Sequence, residues 1–321
     1  MLRTVFFGTS AFAVPALDVA ARRSELLAVV TQPDRPAGRG QHLQQSAVKR
    51  AALERSLPVY EPQSLRAFAV ELQDIGVECF IVASYGRILP QALLALPALG
   101  SLGIHPSLLP RFRGATPIQA ALLAGDRETG VTLMLMDAGM DTGDVVLQER
   151  LAILAGESYG ALHDRLAHLG ARLLGEALAI GEHDGAFPRR SQVGEASLTR
   201  PIRKEDLEID WRWPGAKIVN HVRAYAPQPA ARAVLAGVHV KILRAKVGGT
   251  SLDVARRSRA SLARDGTVES RPLGRPTVAR DDTALLVPCG DGVVAIELLI
   301  APNRGRESGT AFARRMGIGV P

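Results

Sequence analysis

The sequence predicts an α/β protein: a mostly parallel sheet with helices on both faces, followed by a small β-barrel. Three observations point there. Short apolar runs alternate with helical periodicity through the first half of the chain, the pattern of strands and helices in a layered sheet. The last third instead carries short alternating runs separated by glycines, as in small barrels. Charge divides along the same line. Residues 1–199 hold 18 Lys and Arg against 20 Asp and Glu, net −2, whereas residues 200–321 hold 21 against 12, net +9.

Each element has its own signal. Residues 4–7 read as a first strand, Gly8-Thr9-Ser10 as a turn, and 11–23 as a helix. That turn has neither a Walker lysine nor a GxGxxG, which argues against nucleotide binding through it. Strand 26–32, helix 47–56, short strand 58–60, helix 64–75 and buried strand 77–84 follow. In parallel sheets ligands bind outside the carboxyl ends of strands. Ser84-Tyr85-Gly86, His105 and the turn 137–141 are all expected at such ends. Residues 158–180 form one long amphipathic helix. Its His163 and His168 are five apart, a spacing that suits no helical metal pair, and no Cys/His cluster occurs elsewhere, so no metal is expected. The aperiodic stretch 182–200 reads as a linker along the surface, and the domains are expected at 1–185 and 205–321 with 186–204 between them. In the second domain a helix over 214–226 precedes strands at 233–235, 238–245, 284–287 and 293–299.

Composition narrows the setting. A chain of 321 residues with 47% hydrophobic and 22% charged residues is long enough for two cores. No apolar run reaches membrane-spanning length, so no membrane partner is expected. MLRTVFFGTS is too short and too soon interrupted for a signal peptide. Cys79 and Cys289 are the only cysteines, and Cys79 lies in a buried-strand pattern. A structural disulfide is therefore not expected, and a reducing cytoplasm fits. The basic second domain points to a polyanionic partner.

The chemistry concentrates between Leu102 and Gly143. His105 follows an apolar run, and Pro106 and Pro110 stiffen the loop Ser107-Leu108-Leu109 between them. The apolar run 131–136 leads into Asp137, Gly139, Asp141 and Gly143, where glycines let the backbone turn and aim a carboxylate. A histidine and an aspartate at two strand ends make an acid–base pair if the strands are neighbours. Taken singly, both residues also suit ordinary turns. The loop 31–43 is a second candidate: Pro33, Pro36, Gly38 and Gly40 forbid regular structure, while Arg35 and Arg39 supply charge for a phosphate or base edge.

HPSLLPRFRGATPIQ and MDAGMDTGD, with TQPDRPAGRG before them, resemble the formyltransferases that use 10-formyltetrahydrofolate. The likeness is strong over the first two thirds of the chain. RPIRKEDLEIDW resembles the segment by which the family enters its carboxyl-terminal domain. The resemblance implies a Rossmann-like catalytic domain, an OB-like barrel that meets RNA, and 10-formyltetrahydrofolate as co-substrate. It also implies the α-amine of methionine on initiator tRNA as acceptor, in a cytoplasmic enzyme expected to be a monomer. By resemblance His105 and Asp141 are catalytic. Ser107, Leu108, Leu109 and Pro110 line the folate site, which Ile88 and Leu89 extend. Arg39, with Arg35, grips the acceptor stem. Two departures stand out. Gln41 and His42 replace two lysines common in the family, and Gly103 occupies the position of a catalytic asparagine. The only asparagines are Asn220 and Asn303, so no neighbour supplies the carboxamide, and the glycine leaves a gap that a water could fill. The basic stretch 255–275 departs from the family as well. Other readings of the same motifs are a sugar-amine or glycinamide-ribotide formyltransferase, a formyltetrahydrofolate hydrolase, and a catalytically dead RNA-binding homologue.

Overall fold

A computed structural model describes residues 1–37, 42–248, 276–278 and 284–319. The chain divides into two units. The first comprises Met1–Pro117, Glu128–Ala152 and His163–Arg200; the second comprises Ile118–Arg127, Ile153–Leu162 and Pro201–Pro321.

The chain begins with β1 (Arg3–Gly8), α1 (Val14–Arg23), β2 (Glu25–Val30), β3 (Arg35–Ala37), β4 (His42–Gln44), α2 (Ala47–Glu54), β5 (Val59–Tyr60) and α3 (Leu65–Glu71). It continues with β6 (Cys79–Ala83), α4 (Gln91–Leu94), β7 (Ser101–His105), β8 (Arg113–Gly114), α5 (Pro117–Ala124), β9 (Glu128–Leu135), β10 (Val145–Ala152), α6 (Tyr159–Asp184) and β11 (Leu198–Thr199). Seven strands form the main sheet of the first unit, in the order β10-β9-β7-β6-β1-β2-β5. The β7-β6-β1-β2-β5 part is parallel, and β9 and β10 add antiparallel neighbours at one side.

Alternation within the strands separates the two faces. Val5, Phe7, Phe80 and Val82 pack with Leu65, Phe68 and Ala69 of α3. On the other face α6 lies close enough that Gly170 abuts Ile104 and Val131. Both faces being covered is why β6 is apolar without interruption and β7 is buried along its whole length. Phe7 and Phe80 meet edge to face at 5.0 Å; truncating either would cost about 3–5 kcal/mol. The same alternation turns Gly103 and His105 away from α6.

One expectation fails locally. The stretch 31–43 is not wholly irregular: β3 and β4 pair antiparallel, with Pro36 opposite Leu43. Each strand of a two-stranded ribbon is an edge, where a proline's missing N–H need not break a ladder. Residues 38–41, including Arg39, lie outside the described residues, as does the stretch 255–275.

The second unit contains α7 (Gly215–Tyr225), β12 (Ala231–Leu235), β13 (Val238–Val247), β14 (Thr277–Val278), β15 (Leu285–Cys289), β16 (Gly292–Ile300), β17 (Arg306–Ser308) and α8 (Gly309–Arg315). Among the described residues its antiparallel sheet runs β12-β13-β16-β15-β14, with β17 on β16. The β12–β13 hairpin turns through Ala236 (φ 48°) and Gly237 (φ 77°), the double left-handed pair that matches strand twist. Trp211, Ile218, Leu235, Ile242, Ile296 and Phe312 build its core. No helix among the described residues is long and apolar enough to cross a membrane. Cys79 and Cys289 are both buried and free.

Candidate active site

β7 delivers His105, which is 6% exposed, at its carboxyl end. Asp141 reaches it by a route that the sequence does not suggest. Because β9 runs antiparallel to β7, the end of β9 lies beside Leu102, whereas His105 pairs with Thr132. The two strand ends are therefore not neighbours. The connection 136–144 folds back instead and brings Asp141 Oδ2 to 3.5 Å from His105 Nδ1. Gly143 permits that fold, since a Cβ there would sit 1.7 Å from the Leu135 carbonyl oxygen. Asp137 serves the connection itself: its Oδ1 accepts from Gly139 N at 3.0 Å and from Thr142 Oγ1 at 2.6 Å.

The proton inventory of His105 is informative. Its Nε2 lies 3.0 Å from the Phe112 carbonyl oxygen, to which it can only donate. The neutral ring then carries its lone pair on Nδ1, facing Asp141. Burial lowers the His105 pKa from the ordinary value of 6.5, and the Asp141 carboxylate and the Phe112 carbonyl partly offset that. At neutral pH the ring is thus a base with one vacant proton site, and a carboxylate stands ready to stabilise the imidazolium. Asp141 Oδ2 also accepts from Gly114 N at 2.7 Å.

The loop after His105 is braced from the sheet. Thr132 Oγ1 donates to Ser107 O at 2.7 Å and accepts from Leu109 N at 3.2 Å and Gln148 Nε2 at 2.8 Å. Gln148 Nε2 also donates to Leu109 O at 3.1 Å. Ser107 Oγ closes the loop onto Arg111 O at 2.6 Å. The Leu109–Pro110 peptide is cis. Leu109 is buried, and Leu108 extends over β9, where a Cβ on Gly130 would meet its Cδ2 at 2.5 Å. Leu89 belongs to the core beside Tyr85, while Ile88 is 87% exposed.

Gly103 needs a correction. Beside it there is no open gap for a water: a Cβ would lie 3.1 Å from Met136 Cγ and 3.2 Å from Met134 Cε. Methionine has three flexible torsions, and these two side chains flow into the space that a larger residue would take.

Arg35 is exposed at the start of β3. The preceding residue, Asp34, is held at 2.9 Å by Lys49 Nζ, which also reaches Glu61 Oε2 at 2.8 Å. These carboxylates, Glu61 first, raise the Lys49 pKa. The ribbon that carries Arg35 is therefore rooted on α2 and β5.

Several contributors were not foreseen. Thr132 left a faint signal, as the lone polar residue inside an apolar run; Gln148 left none. The segment 186–200, expected only as a linker, binds the site directly: Ser197 Oγ accepts from Phe112 N at 2.8 Å, and Thr199 Oγ1 donates to Arg113 O at 3.0 Å. Their partners are more than 80 residues away, beyond any local pattern. Among the described residues no cluster of His, Cys, Asp and Glu is arranged to hold a metal.

A mostly parallel sheet with helices on both faces thus brings a buried histidine and a half-buried aspartate together beside a braced Ser-Leu-Leu-Pro loop, an arrangement suited to acid–base chemistry in an α/β protein. Comparison makes that class specific. Residues 2–178 match the formyl transferase family model and residues 201–317 match the formyl transferase carboxyl-terminal domain. The chain belongs to the formyl transferase family. It is 42% identical over 315 residues to the methionyl-tRNA formyltransferase of Thiobacillus denitrificans, covering 97% of this chain and 96% of that one. With the corresponding protein of Stenotrophomonas maltophilia the identity is 41% over 316 residues, covering 97% and 95%. The fold also resembles an N-formyltransferase from Helicobacter canadensis (TM-score 0.63, 16% identity, 92% of this chain and 99% of that one). HypX from Aquifex aeolicus, solved with tetrahydrofolic acid, superposes with a TM-score of 0.61 at 17% identity. It covers 100% of this chain, which spans 48% of HypX.

Proposed function

We propose that the protein transfers the formyl group of 10-formyltetrahydrofolate to the α-amine of methionine on initiator tRNA. The observation that carries this is the 42% identity, spread over nearly the full length of both chains, to a methionyl-tRNA formyltransferase. The geometry of the His105–Asp141 pair supports it. In the transfer a neutral amine attacks the formyl carbon, negative charge builds on the formyl oxygen, and the folate nitrogen leaves with a proton. His105 Nδ1 takes the proton shed by the amine and returns it to the leaving nitrogen, while Asp141 stabilises the intervening imidazolium. The braced loop 107–110 and Ile88 fit an apolar pterin edge: Leu108 and Ile88 offer side chains, and Leu109 and Leu89 back them.

Residues 1–185 form the catalytic domain in this reading, 186–204 connect it, and 205–321 face the tRNA, in keeping with the net charge of +9 over residues 200–321. Arg39 and Arg35 meet the acceptor stem from the ribbon rooted by Lys49. The enzyme acts as a cytoplasmic monomer, without a membrane or metal requirement. The test offers the protein 10-formyltetrahydrofolate with charged initiator tRNA, amino sugars, glycinamide ribotide, or water alone. Rapid formylation of the tRNA alone supports the reading. Preference for another acceptor, or no transfer at all, rejects it.

A further inference from the structure

We infer that Gln192 is a positioning residue for this reaction: it holds the turn that presents Asp141 to His105. The inference rests on the formyl-transfer reading only for its kinetic consequence. Gln192 is half-buried in the stretch between α6 and β11. Its Nε2 donates to the Asp141 carbonyl at 2.9 Å and to the Gly143 carbonyl at 2.8 Å. Its Oε1 accepts from Arg113 Nε at 3.2 Å and Nη2 at 2.7 Å. A primary amide has two donor hydrogens and two acceptor lone pairs, and here all four are used. The orientation is unique, because a reversed amide would set N–H against guanidinium and oxygen against carbonyl.

The turn needs such a clamp. Asp141 has φ of 53°, a left-handed conformation that costs a non-glycine residue about 1–2 kcal/mol. It persists only where its surroundings over-determine it. Gln192 bridges the carbonyls on either side of Thr142 and ties them to Arg113. The next residue, Gly114, donates its N–H to Asp141 Oδ2. Gln192 thus locks the backbone of the turn to the same short strand that receives the carboxylate. The His105–Asp141 separation of 3.5 Å is a charge contact without a direct hydrogen bond to fix it, so the alignment depends on this backbone. Gln192 exchanges no proton in the working pH range, which leaves geometry as its contribution.

Two substitutions separate its functions. Gln192→Met keeps the length and loses all four hydrogen bonds. Gln192→Glu can still accept from Arg113 but, when ionised, has no hydrogen for the two carbonyls. Full-length parent and variants are compared by heat unfolding, by steady-state formylation, and by NMR titration of the His105 ring, assigned with His105→Gln. The groups facing that ring are Asp141, from the connection 136–144, and the Phe112 carbonyl. Both variants are expected to remain folded with kcat about tenfold or more below the parent and KM values within about twofold. In Gln192→Met the His105 titration should move to lower pH, since burial persists while support from Asp141 weakens. A Glu variant with parental kcat overturns the inference, because the Arg113 contact alone would then suffice. So does an unmoved His105 titration in the Met variant. If Gln192→Met does not fold, the kcat of Gln192→Glu decides. A parent that formylates nothing defeats the functional reading instead, and the titration still decides whether Gln192 aligns the pair.

Discussion

Replacing Gly103 by asparagine tests the site at its one missing part. The backbone at Gly103 lies outside the left-handed region, so an L-residue meets no conformational penalty there. Its new Cβ would press on Met136 Cγ at 3.1 Å and Met134 Cε at 3.2 Å, each a few tenths of an ångström too close. Displacing them is an overpacking change worth about 1–3 kcal/mol of stability. That cost falls equally on ground and transition states, so it appears in the unfolding midpoint and not in kcat. The gain is selective: one preorganised donor to a developing oxyanion is worth about 10²–10³ in turnover. Met134 and Met136 end in flexible atoms that can yield, and the carboxamide would then lie two residues before His105 on the same face of β7. We expect an active parent and a Gly103→Asn variant whose kcat is higher by a factor between about 10 and 10³, with a lower unfolding midpoint. The assay is formylation of methionyl-tRNA at saturating folate, alongside thermal unfolding. A folded variant with parental folate KM and equal or lower kcat would refute the placement of Gly103 beside the developing charge.

Asp141→Asn keeps size but removes the charge opposite His105 Nδ1, so turnover should fall by about 10²–10⁴ while folate still binds; parental turnover would sink the pair. Lys49→Met should leave folate-dependent hydrolysis intact while raising the KM for tRNA and lowering stability by about 1.5–3 kcal/mol, because Lys49 Nζ holds Asp34 Oδ2 and Glu61 Oε2 while the buried Asp34 Oδ1 and Glu61 Oε1 have no hydrogen-bond partner among the described residues. A parental KM for tRNA would show that the ribbon does not depend on this root. Stability should also depend on pH through His105 and His221, whose folded pKa values are both lowered, chiefly by burial. Just below the ordinary histidine value the unfolded chain binds more protons than the folded one. Stability is therefore full above about pH 6.5 and declines as pH falls through that value. Chemical denaturation at about pH 7.5 and about pH 5.5 checks this; His221→Gln should flatten the slope, and a slope unchanged by it would point to other groups.

Much of this protein was legible in its linear pattern. Buried parallel strands leave uninterrupted apolar runs such as those of β1 and β6, because both faces are covered. Helices such as α2 announce themselves by periodic apolar positions; the structure adds a cap, with Ser46 Oγ accepting from Lys49 N at 2.9 Å. His105, Asp141 and the Ser-Leu-Leu-Pro loop stood out because prolines and glycines around polar side chains mark places where backbone shape matters more than packing.

Tertiary structure decided the rest. Strand direction has no signature in periodicity, so the antiparallel course of β9 was invisible, and with it the need for residues 136–144 to fold back to His105. The ribbon of β3 and β4 escaped notice because proline forbids a central strand but not an edge. Gly103 announced a missing side chain, yet only packing shows that Met134 and Met136 occupy its place. Gln192, Ser197 and Thr199 carry no local pattern at all: the partners of their side chains lie 49 to 86 residues away in sequence. Periodicity records which face of an element is buried, a property of neighbouring residues. A hydrogen bond between distant segments is a property of the folded chain, and it leaves no trace in either segment alone.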